Sequence, residues 1–163
     1  MIRPAKSQDS AEIARIYNYY VQNTPITFEE KDVDQREMER RLERIRDSGK
    51  PCIVAESSQR IVGYAHAALW KERSAYRFTV ELAVYLDPMH LGQGVGSDLY
   101  GVLFDELSQR GIKNAVACIT LPNQASVALH EKFGMKKVAH FSKVGFKFNQ
   151  WLDVGYWQKN LGP

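Results

Sequence analysis

Residues 79–97 contain two features that could carry chemistry. Glu81 is a carboxylate inside a run of β-branched, aromatic and aliphatic residues, which is the composition of a strand. Three glycines at alternate positions, Gly92, Gly94 and Gly96, follow an Asp-Pro pair that ends the strand and precede a helical pattern. This order leaves backbone N–H groups free at the positive end of a helix dipole. These residues therefore predict a phosphate-containing ligand next to a partly enclosed carboxylate.

The glycines alone leave several interpretations open. They could form only a strand-to-helix turn that requires positive φ, with no ligand. A dinucleotide site needs G-x-G-x-x-G directly after the strand, whereas the pattern here is G-x-G-x-G and other residues intervene. A P-loop needs a lysine before its Ser or Thr, and Ser97 follows a glycine instead. Both named nucleotide motifs are therefore poor matches.

The composition is that of one globular domain, residues 1–163, with a sizeable core. The net charge of +3 suits a small anionic ligand and is too low to predict binding to nucleic acid. No spacing of His, Cys, Asp and Glu suggests a metal site. No apolar run is long enough to span a bilayer, and the N-terminus lacks the apolar segment of a signal peptide. A cytoplasmic protein without membrane contact is therefore expected.

Periodicity places these motifs on a mixture of helices and strands. Hairpins near both ends of the chain require antiparallel pairs, so we predict an α/β sheet of mixed direction rather than a doubly wound parallel one. The charge of the second helix is interpreted as a solvated face with i,i+4 ion pairs. Cys52 and Cys118 lie in apolar runs and are expected to be buried free thiols rather than a disulfide. The predicted helices are 9–23 with Asp9 as cap, 34–48, one from the glycines to 111, and 125–133; the predicted strands are 2–5, 52–56, 61–70, 79–86, 115–119, 138–147 and 151–158, with a short extended piece at 26–28.

The glycine turn resembles motif A of the Gcn5-related N-acetyltransferases (GNAT), whose pattern is Gln/Arg-x-x-Gly-x-Gly/Ala. Aligning Gly94 and Gly96 with the last two positions puts Leu91 where the family has Gln or Arg, which removes one side chain and keeps the backbone donors. Further motifs along the whole chain are similar to the phosphinothricin and methionine sulfoximine acetyltransferase branch of this family. They are Tyr76-Arg77-x-Thr79-Val80-Glu81, Val84-Tyr85, Pro122-Asn123-x-x-Ser126, Leu129-His130-Glu131-x-x-Gly134 and Val144-Gly145-x-Lys147-x-x-x-Trp151-x-Asp153.

The resemblance implies a single-domain GNAT-like fold, with a mixed, mostly antiparallel sheet flanked by about four helices. It implies an acetyl-CoA-dependent enzyme that moves the acetyl group directly to the primary amine of a small amino acid or analogue. Relatives are dimers with their final strands near the partner's site, so a homodimer is expected, with Trp151 either at the interface or in a structural hairpin. Two alternatives remain open: acetylation of a protein N-terminus or lysine, and a non-catalytic acyl-CoA-binding sensor.

The resemblance also assigns the acetyl-CoA site. The glycine loop would hold the pyrophosphate through backbone N–H groups, and the pantetheine arm would lie along the central strand like an added strand. A backbone N–H of that strand would donate to the thioester oxygen. The cation for the 3′-phosphate stays unassigned, with Lys132, Lys136 and Arg110 as candidates. The residues expected at the coenzyme are Val84, Tyr85, Leu86, Gly92, Gln93, Gly94, Val95, Gly96, Ser97 and Asn123.

Two residues are expected to move protons. Glu81 is the candidate base, because partial burial raises a carboxyl pKa toward the operating pH. Its structural alternative is an ion pair with Arg73 or Arg77. His130 stands where many relatives have the tyrosine that protonates the departing thiolate, and histidine can exchange a proton near neutral pH. Its alternative is a packed histidine that bonds to backbone.

The acceptor amine is expected near the polar connection that leads into the central strand. In the family this region meets the carboxylate of the substrate, and an arginine suits a bidentate grip on a carboxylate. The residues expected at the acceptor are Lys71, Glu72, Arg73, Glu81, Leu82 and Ala83.

Overall fold

One sheet of seven strands organises the chain. The strands are β1 (Ile2–Pro4), β2 (Cys52–Ser57), β3 (Arg60–Leu69), β4 (Thr79–Leu86), β5 (Asn114–Leu121), β6 (Lys136–Lys147) and β7 (Gln150–Asn160). The computed structural model describes residues 1–162, so the last position of the predicted domain lies outside the described residues. The strand order is β1-β2-β3-β4-β5-β7-β6, with β4 and β5 parallel and the other neighbours antiparallel. This confirms the mixed, mostly antiparallel sheet.

Within the described residues, four α-helices cover the two faces of the sheet, as predicted. They are α1 (Ser10–Asn23), α2 (Gln35–Asp47), α3 (Val95–Gln109) and α4 (Gln124–Lys132). α1 and α2 share one apolar core with Val54 and Tyr64 of the sheet. α3 and α4 pack on the opposite face, against a second core that contains Val80 and Ala117. Over residues 1–162, no helix is long and apolar enough to cross a membrane.

β4 supplies side chains to both faces, because successive residues of a strand point to opposite sides. Val80 and Leu82 are buried in the core beneath α3. Ala83 and Tyr85 face the space beneath α1 and α2, and Glu81 has the same parity. Glu81, Ala83 and Tyr85 therefore share the α1/α2 face of the sheet.

α2 is a charged helix that begins at a capped end. The Asp34 carboxylate accepts a hydrogen bond from the Glu37 N–H at 2.8 Å, which satisfies one free donor of the first turn. Met38 and Leu42 form its narrow buried stripe. Glu37 pairs with Arg41 at 3.0 Å across one turn, as the solvated-face interpretation predicts. Arg41 also reaches beyond the helix to Glu29, so part of this charge ties α2 to the loop after α1.

Asp9 precedes α1, but its side chain does not cap that helix. The carboxylate instead accepts hydrogen bonds from Arg3 at 2.8 and 3.0 Å and from the Lys6 N–H at 2.7 Å. Burial alone would raise the pKa of Asp9, yet the bonds from Arg3 and Lys6 outweigh it and lower the pKa. The cap prediction is wrong because β1 brings Arg3 beside Asp9, which local spacing cannot show.

The predicted extended piece at residues 26–28 is also wrong, since these residues lie in a bent loop. The Lys147 ammonium donates to the Thr24 and Thr27 carbonyls at 2.9 and 2.8 Å. Because both carbonyls point toward the same ammonium, this segment bends and cannot pair as a strand with a neighbour. The opposing Gly145 leaves room for the Phe28 ring, where a Cβ would clash.

Both cysteines are free, as predicted, but Cys118 is exposed and Cys52 is only partly buried. Cys118 has the parity of β5 that faces away from α3 and α4. The expectation that Cys118 is buried is therefore wrong, because its side of β5 faces away from the two helices that pack on this strand.

Asp9→Asn is expected to lower the free energy of unfolding by about 2–3 kcal/mol at neutral pH, because it removes the buried carboxylate that binds two nitrogens of the Arg3 guanidinium and leaves only Glu56 as its charged partner. Because the pKa of Asp9 is lowered in the folded state, the Arg3–Asp9 pair stabilises the fold fully at pH values above the ordinary pKa of a carboxyl group. This stabilisation is lost as the pH falls through the pKa of Asp9 in the folded state. Urea unfolding of both proteins at neutral and acid pH measures the difference, which should shrink in acid.

The matched control for this variant is Asp47→Asn, since the Asp47 side chain is 76% exposed. A change within about 0.5 kcal/mol is expected for the control. Equal losses in the two variants would contradict the role of the Arg3–Asp9 pair.

Candidate active site

The pairing of β4 with β5 stops after three register pairs, the last of which joins Glu81 to Val116. β4 continues to Leu86 and β5 to Leu121, but the two strands no longer pair with each other. A cleft therefore opens between them beyond Glu81. Its lining includes Glu81, Leu82, Ala83, Val84, Tyr85, Cys118, Asn123, Ser126 and His130.

One side of the β4 backbone is free at this cleft. The N–H of Asp87 and the carbonyl of Thr79 both bond to the β3 side, at 2.8 and 3.5 Å. Because ladder bonds alternate along an antiparallel strand, the even-numbered residues of β4 direct their backbone groups to the cleft. The Leu86 carbonyl is occupied by the Tyr20 hydroxyl, which donates to it at 2.6 Å. Val84 therefore presents both its N–H and its carbonyl to a ligand.

Tyr85 differs from its two neighbours in the predicted coenzyme segment. It is in register with Tyr64, and by the same alternation its backbone groups belong to the β3 ladder. Its ring packs edge-on against Tyr17, with 5.0 Å between the centroids. Burial raises the pKa of the Tyr85 phenol well above its usual range. Tyr85 therefore borders the cleft through its side chain.

The glycine loop leads directly into α3. Gly92 and Gly94 have φ of +73° and +86°, a region that favours glycine. Gly94 is the N-cap of α3 and supplies no side-chain cap, so the N–H groups of Val95, Gly96 and Ser97 have no intrahelical partner. These donors at the positive end of the helix are the arrangement that the sequence analysis expects for phosphate.

Two side chains flank this loop. The Gln93 amide donates to the Met89 carbonyl at 3.0 Å and braces the turn. The Lys132 ammonium donates to Ser97 Oγ at 2.9 Å, which places a positive charge beside the helix start. Arg110 follows the other end of α3, which at 15 residues is about 22 Å long. Of the three candidate cations, Lys132 lies at the loop, Arg110 lies at the far end of α3, and Lys136 begins β6 at the edge of the sheet.

Asn123 begins α4 at the far wall of the cleft. Its side-chain oxygen accepts a hydrogen bond from the Ser126 N–H at 3.1 Å and so caps the helix. This bond uses the amide oxygen and leaves the amide NH2 as the group available to a ligand.

His130 is buried, and both of its ring nitrogens have partners. Nδ1 lies 2.6 Å from the Ser126 carbonyl, which can only accept, so Nδ1 carries the proton. In the neutral ring Nε2 then accepts from the Tyr100 hydroxyl at 2.7 Å. Burial lowers the pKa of His130, and the Ser126 bond opposes this. This geometry fits the alternative of a packed histidine that bonds to backbone. The ring also lines the cleft, and the catalytic role of His130 stays a prediction.

Glu81 stands where β4 and β5 separate. Burial raises the pKa of Glu81, and the positive charge of Lys71 partly opposes this effect. Within residues 1–162, no arginine bonds to this carboxylate: Arg77, for example, donates to the Ser74 carbonyl at 3.0 Å. Glu81 is therefore a half-buried carboxylate without a salt bridge in the described part of the chain, as a general base requires.

The predicted acceptor residues Lys71, Glu72 and Arg73 form an exposed connection between β3 and β4. The Lys71 ammonium lies 5.2 Å from the centroid of the Trp70 ring. Its charge acts on the pKa of Glu81, so this connection borders the base.

Leu82 and Ala83, also predicted at the acceptor, lie on opposite faces of the sheet. The Leu82 side chain is part of the core beneath α3, so only its backbone faces the cleft. Ala83 lines the cleft and also a cavity beneath α2. The structure thus brings Ala83 and Glu81 to one site and turns the Leu82 side chain away.

The cavity beneath α2, of about 450 Å³, is missing from the sequence-based site. Its lining includes Tyr17, Arg41, Tyr64, His66 and Ala68. One sequence signal could have indicated it: His66 is a titratable residue inside the apolar run of β3, the same anomaly that singles out Glu81 in β4.

Comparison with known proteins agrees with this architecture. Residues 2–155 match the family model described as the acetyltransferase (GNAT) domain. The chain is 38% identical to the phosphinothricin N-acetyltransferase of Streptomyces viridochromogenes over 98% of this chain and 87% of the relative. It is 36% identical to the L-methionine sulfoximine/L-methionine sulfone acetyltransferase of Salmonella typhimurium, over 98% and 94% of the two chains.

A solved structure is similar over nearly the whole chain. It is that of a GNAT superfamily phosphinothricin acetyltransferase from Sinorhizobium meliloti in complex with acetyl-CoA, at a TM-score of 0.97 and 34% identity, over 99% of this chain and 88% of that chain. The match to the family model includes the cleft, the glycine loop and both proton-transfer candidates. The chain therefore belongs to the GNAT acetyltransferase family and is an acyltransferase.

Proposed function

We propose that the chain transfers the acetyl group of acetyl-CoA directly to the primary amine of a small amino acid or analogue. The observation that carries the proposal is Glu81, a carboxylate with a raised pKa at the mouth of a cleft that exposes unpaired strand backbone. The relatives named for phosphinothricin and methionine sulfoximine support the amino acid class of acceptor. These names do not favour the two alternatives from the sequence analysis, a protein substrate and a non-catalytic acyl-CoA-binding sensor.

The described residues fit acetyl-CoA. Val84 offers an N–H and a carbonyl to the amide groups of the pantetheine arm, and the Asn123 NH2 group faces the same cleft. The first turn of α3 supplies N–H donors for the pyrophosphate, and Lys132 adds a positive charge there. Bound acetyl-CoA supplies the thioester as the acyl donor. We assign to Lys132 the role of the cation that contacts the phosphates of the coenzyme, because Arg110 lies at the opposite end of α3.

Different residues around the cleft accept the proton of the amine, stabilise the developing negative charge and accommodate the leaving group. Glu81 accepts a proton from the acceptor ammonium, directly or through water, which frees the amine to attack. The Val84 N–H donates to the carbonyl oxygen as negative charge grows on it. The C–S bond breaks as the new C–N bond forms, and the coenzyme A thiolate leaves into the part of the cleft that Tyr100 and His130 line, where it takes a proton from the Tyr100 hydroxyl or from water. Lys71 and Arg73 meet the carboxylate of the acceptor.

A thiol-release assay with acetyl-CoA tests the reaction. The acceptors are common L-amino acids, methionine sulfone, methionine sulfoximine and phosphinothricin. Free thiol is expected with at least one of these amines, because the cleft offers both a base and an acyl-donor site. Release no higher than in the absence of enzyme, with every acceptor, would refute the proposed function.

Glu81→Gln is expected to lower kcat by about 10²–10⁴-fold with little change in acetyl-CoA affinity, since it removes the base and keeps the shape. In the wild type, kcat should rise with pH through the raised pKa of Glu81, because only the ionised carboxylate accepts a proton. The variant should lose this rising limb. Steady-state kinetics across pH and calorimetric titration with acetyl-CoA measure both effects.

Asp105→Asn is the matched control, because Asp105 is an exposed carboxylate on α3 away from the cleft. It should retain the wild-type pH profile. A Glu81→Gln protein that retains the rising limb, or that has lost its fold by circular dichroism, would argue against a base at this position.

We also propose a homodimer that forms through the β6–β7 hairpin. β6 is the edge strand of the sheet, and Phe146 and Trp151 form an exposed aromatic pair with ring centroids 5.1 Å apart. An apolar surface of this kind is typical of an interface, and a second copy fits because relatives of this branch are expected to be dimers. The location in the cytoplasm and the absence of a metal stay predictions. The exposed apolar residues of the hairpin are Val138, Phe141, Val144, Phe146, Phe148 and Trp151.

Replacing Phe146 and Trp151 together by serine is expected to convert the dimer to a monomer, because it removes the central aromatic pair of the interface. Sedimentation velocity should then report the 18.6 kDa chain mass instead of twice that value. Val102→Ser, at an exposed apolar position on α3, should leave the mass of the wild type. A monomeric wild type at micromolar concentration would refute this interface.

A further inference from the structure

The loop that follows α1 forms part of the cleft. Residues 24–29 of this connection are called the site loop. Its Ile26 side chain lines the cleft together with Glu81. At the other end of the site loop, Glu29 binds Arg41, which lines the cavity beneath α2. The site loop therefore borders the proposed reaction centre on the face of the sheet that carries Glu81.

The internal hydrogen bonds of the site loop are weak. The Ile26 and Glu29 N–H groups donate to the side-chain oxygens of Thr24 and Thr27 at 3.2 and 3.3 Å, which is the long end of the range for such bonds. The Tyr17 hydroxyl lies 2.7 Å from Thr27 Oγ1 and connects the loop to α1. These contacts shape the turns of the loop but do not attach it to the sheet.

Lys147 attaches the site loop to the sheet from β6. Its ammonium donates to the Thr24 and Thr27 carbonyls at 2.9 and 2.8 Å, and Ile26 lies between these two residues in the chain. Lys147 is 2% exposed, and no carboxylate in the described part of the chain forms a salt bridge with it. Backbone carbonyls of the site loop therefore replace the water that this ammonium would otherwise bind.

This position suits a positive charge. Thr24 is the C-cap of α1, so the ammonium meets the negative end of the dipole of this helix. Burial lowers the pKa of Lys147, and the negative charges of Glu30 and Glu29 oppose this effect. Hydrogen bonds from a charged donor are stronger than those between neutral groups. An uncharged, apolar side chain of the same length would release both carbonyls at once.

The β6–β7 hairpin contacts the site loop at a second point. Gly145 packs against the Phe28 ring so closely that a Cβ would clash. Gly145 and Lys147 are both buried, whereas Phe146 between them is exposed, because successive residues of a strand face opposite sides. Two residues on one side of β6 therefore hold the site loop, and the other side carries the aromatic pair of the proposed interface.

We propose that Lys147 is a positioning residue for acyl transfer, which holds the site loop so that Ile26 forms a wall of the cleft beside the acceptor amine. The inference rests on the proposed function. The glycine loop and Lys132, which are assigned to the coenzyme, lie at the start of α3 on the other face of the sheet. Release of the site loop should therefore weaken the hold on the amine and leave coenzyme binding and Glu81 intact.

Lys147→Met tests this role, because it keeps the length of the side chain and removes the ammonium. In the thiol-release assay, with the acceptor that the wild type turns over fastest, kcat/KM for the amine is expected to fall about 10–100-fold, mainly through KM. Acetyl-CoA affinity by calorimetric titration should stay close to the wild-type value, and the rise of kcat with pH should remain. A residue that only stabilised the fold would change none of these ratios in the folded protein.

Lys31→Met is the matched control, since Lys31 is an exposed lysine in the same connection between α1 and α2. It should retain the kinetics of the wild type. Ile26→Ala tests the wall without a change at Lys147, and it should fold because Ile26 is 37% exposed. The KM for the amine should rise in this variant as well.

Hydrogen exchange followed by mass spectrometry measures the site loop without turnover. Backbone amides in peptides that cover residues 24–29 should exchange about tenfold faster in Lys147→Met than in the wild type, because local opening of the loop no longer breaks the two bonds to the ammonium. Peptides from β4 and α3 should exchange at the wild-type rate. Lys31→Met should leave the exchange of the site loop unchanged.

Three results would overturn the inference: wild-type kcat/KM in folded Lys147→Met, unchanged exchange of the site loop, or a loss of acetyl-CoA affinity as large as the loss of kcat/KM. If Lys147→Met does not fold by circular dichroism, a wild-type KM in Ile26→Ala overturns it instead. If the wild type turns over no acceptor, the proposed function fails, and the exchange measurement still decides whether Lys147 holds the loop.

Discussion

The separation of β4 from β5 after Glu81 is the constraint on which the site depends. Backbone groups that leave a sheet ladder need other partners, because each buried unsatisfied group costs about 1–3 kcal/mol. The β3 ladder holds one side of β4, and the Tyr20 hydroxyl occupies the Leu86 carbonyl at the end of the strand. Val84 is left with free groups on the cleft side. A ligand rich in amides can satisfy them, and this explains why a coenzyme arm suits the gap.

Successive side chains of β4 point to opposite faces of the sheet, and the two faces have different roles. Val80 and Leu82 anchor the strand in the core with α3, so the glycine loop and the helix start are fixed to it. Glu81, Ala83 and Tyr85 point to the other face, where α1 and α2 enclose a cavity. In the proposed reaction, the acyl donor and the acceptor therefore approach the same strand.

Several polar residues that the sequence singles out make structural contacts. His130 joins α3 to α4 through Tyr100 and Ser126, and Lys147 holds two carbonyls of the loop after α1. Asp9 binds Arg3 across β1. Sequence reasoning could find each residue but not its partner, because Lys147 and Tyr100 bond to residues far away in the chain, and the nearer partners of Asp9 and His130 depend on which side chains the fold brings together. Lys132 is the reverse case: its place beside Ser97 selects it from cations that looked alike.

Local patterns were sufficient for the elements and for the family. The glycines at 92 and 94, the strand composition around Glu81 and the hairpins at both ends are set by backbone conformation and periodicity, which neighbouring residues determine. The tertiary structure alone decided that no arginine within residues 1–162 bonds to Glu81, that Cys118 is exposed, and that His66 lies on the same face of the sheet as Glu81. These properties depend on strand register and on which helix covers which face. Burial and register are relations between distant segments, and therefore only the folded chain sets the pKa of Glu81 and the shape of the cleft beside it.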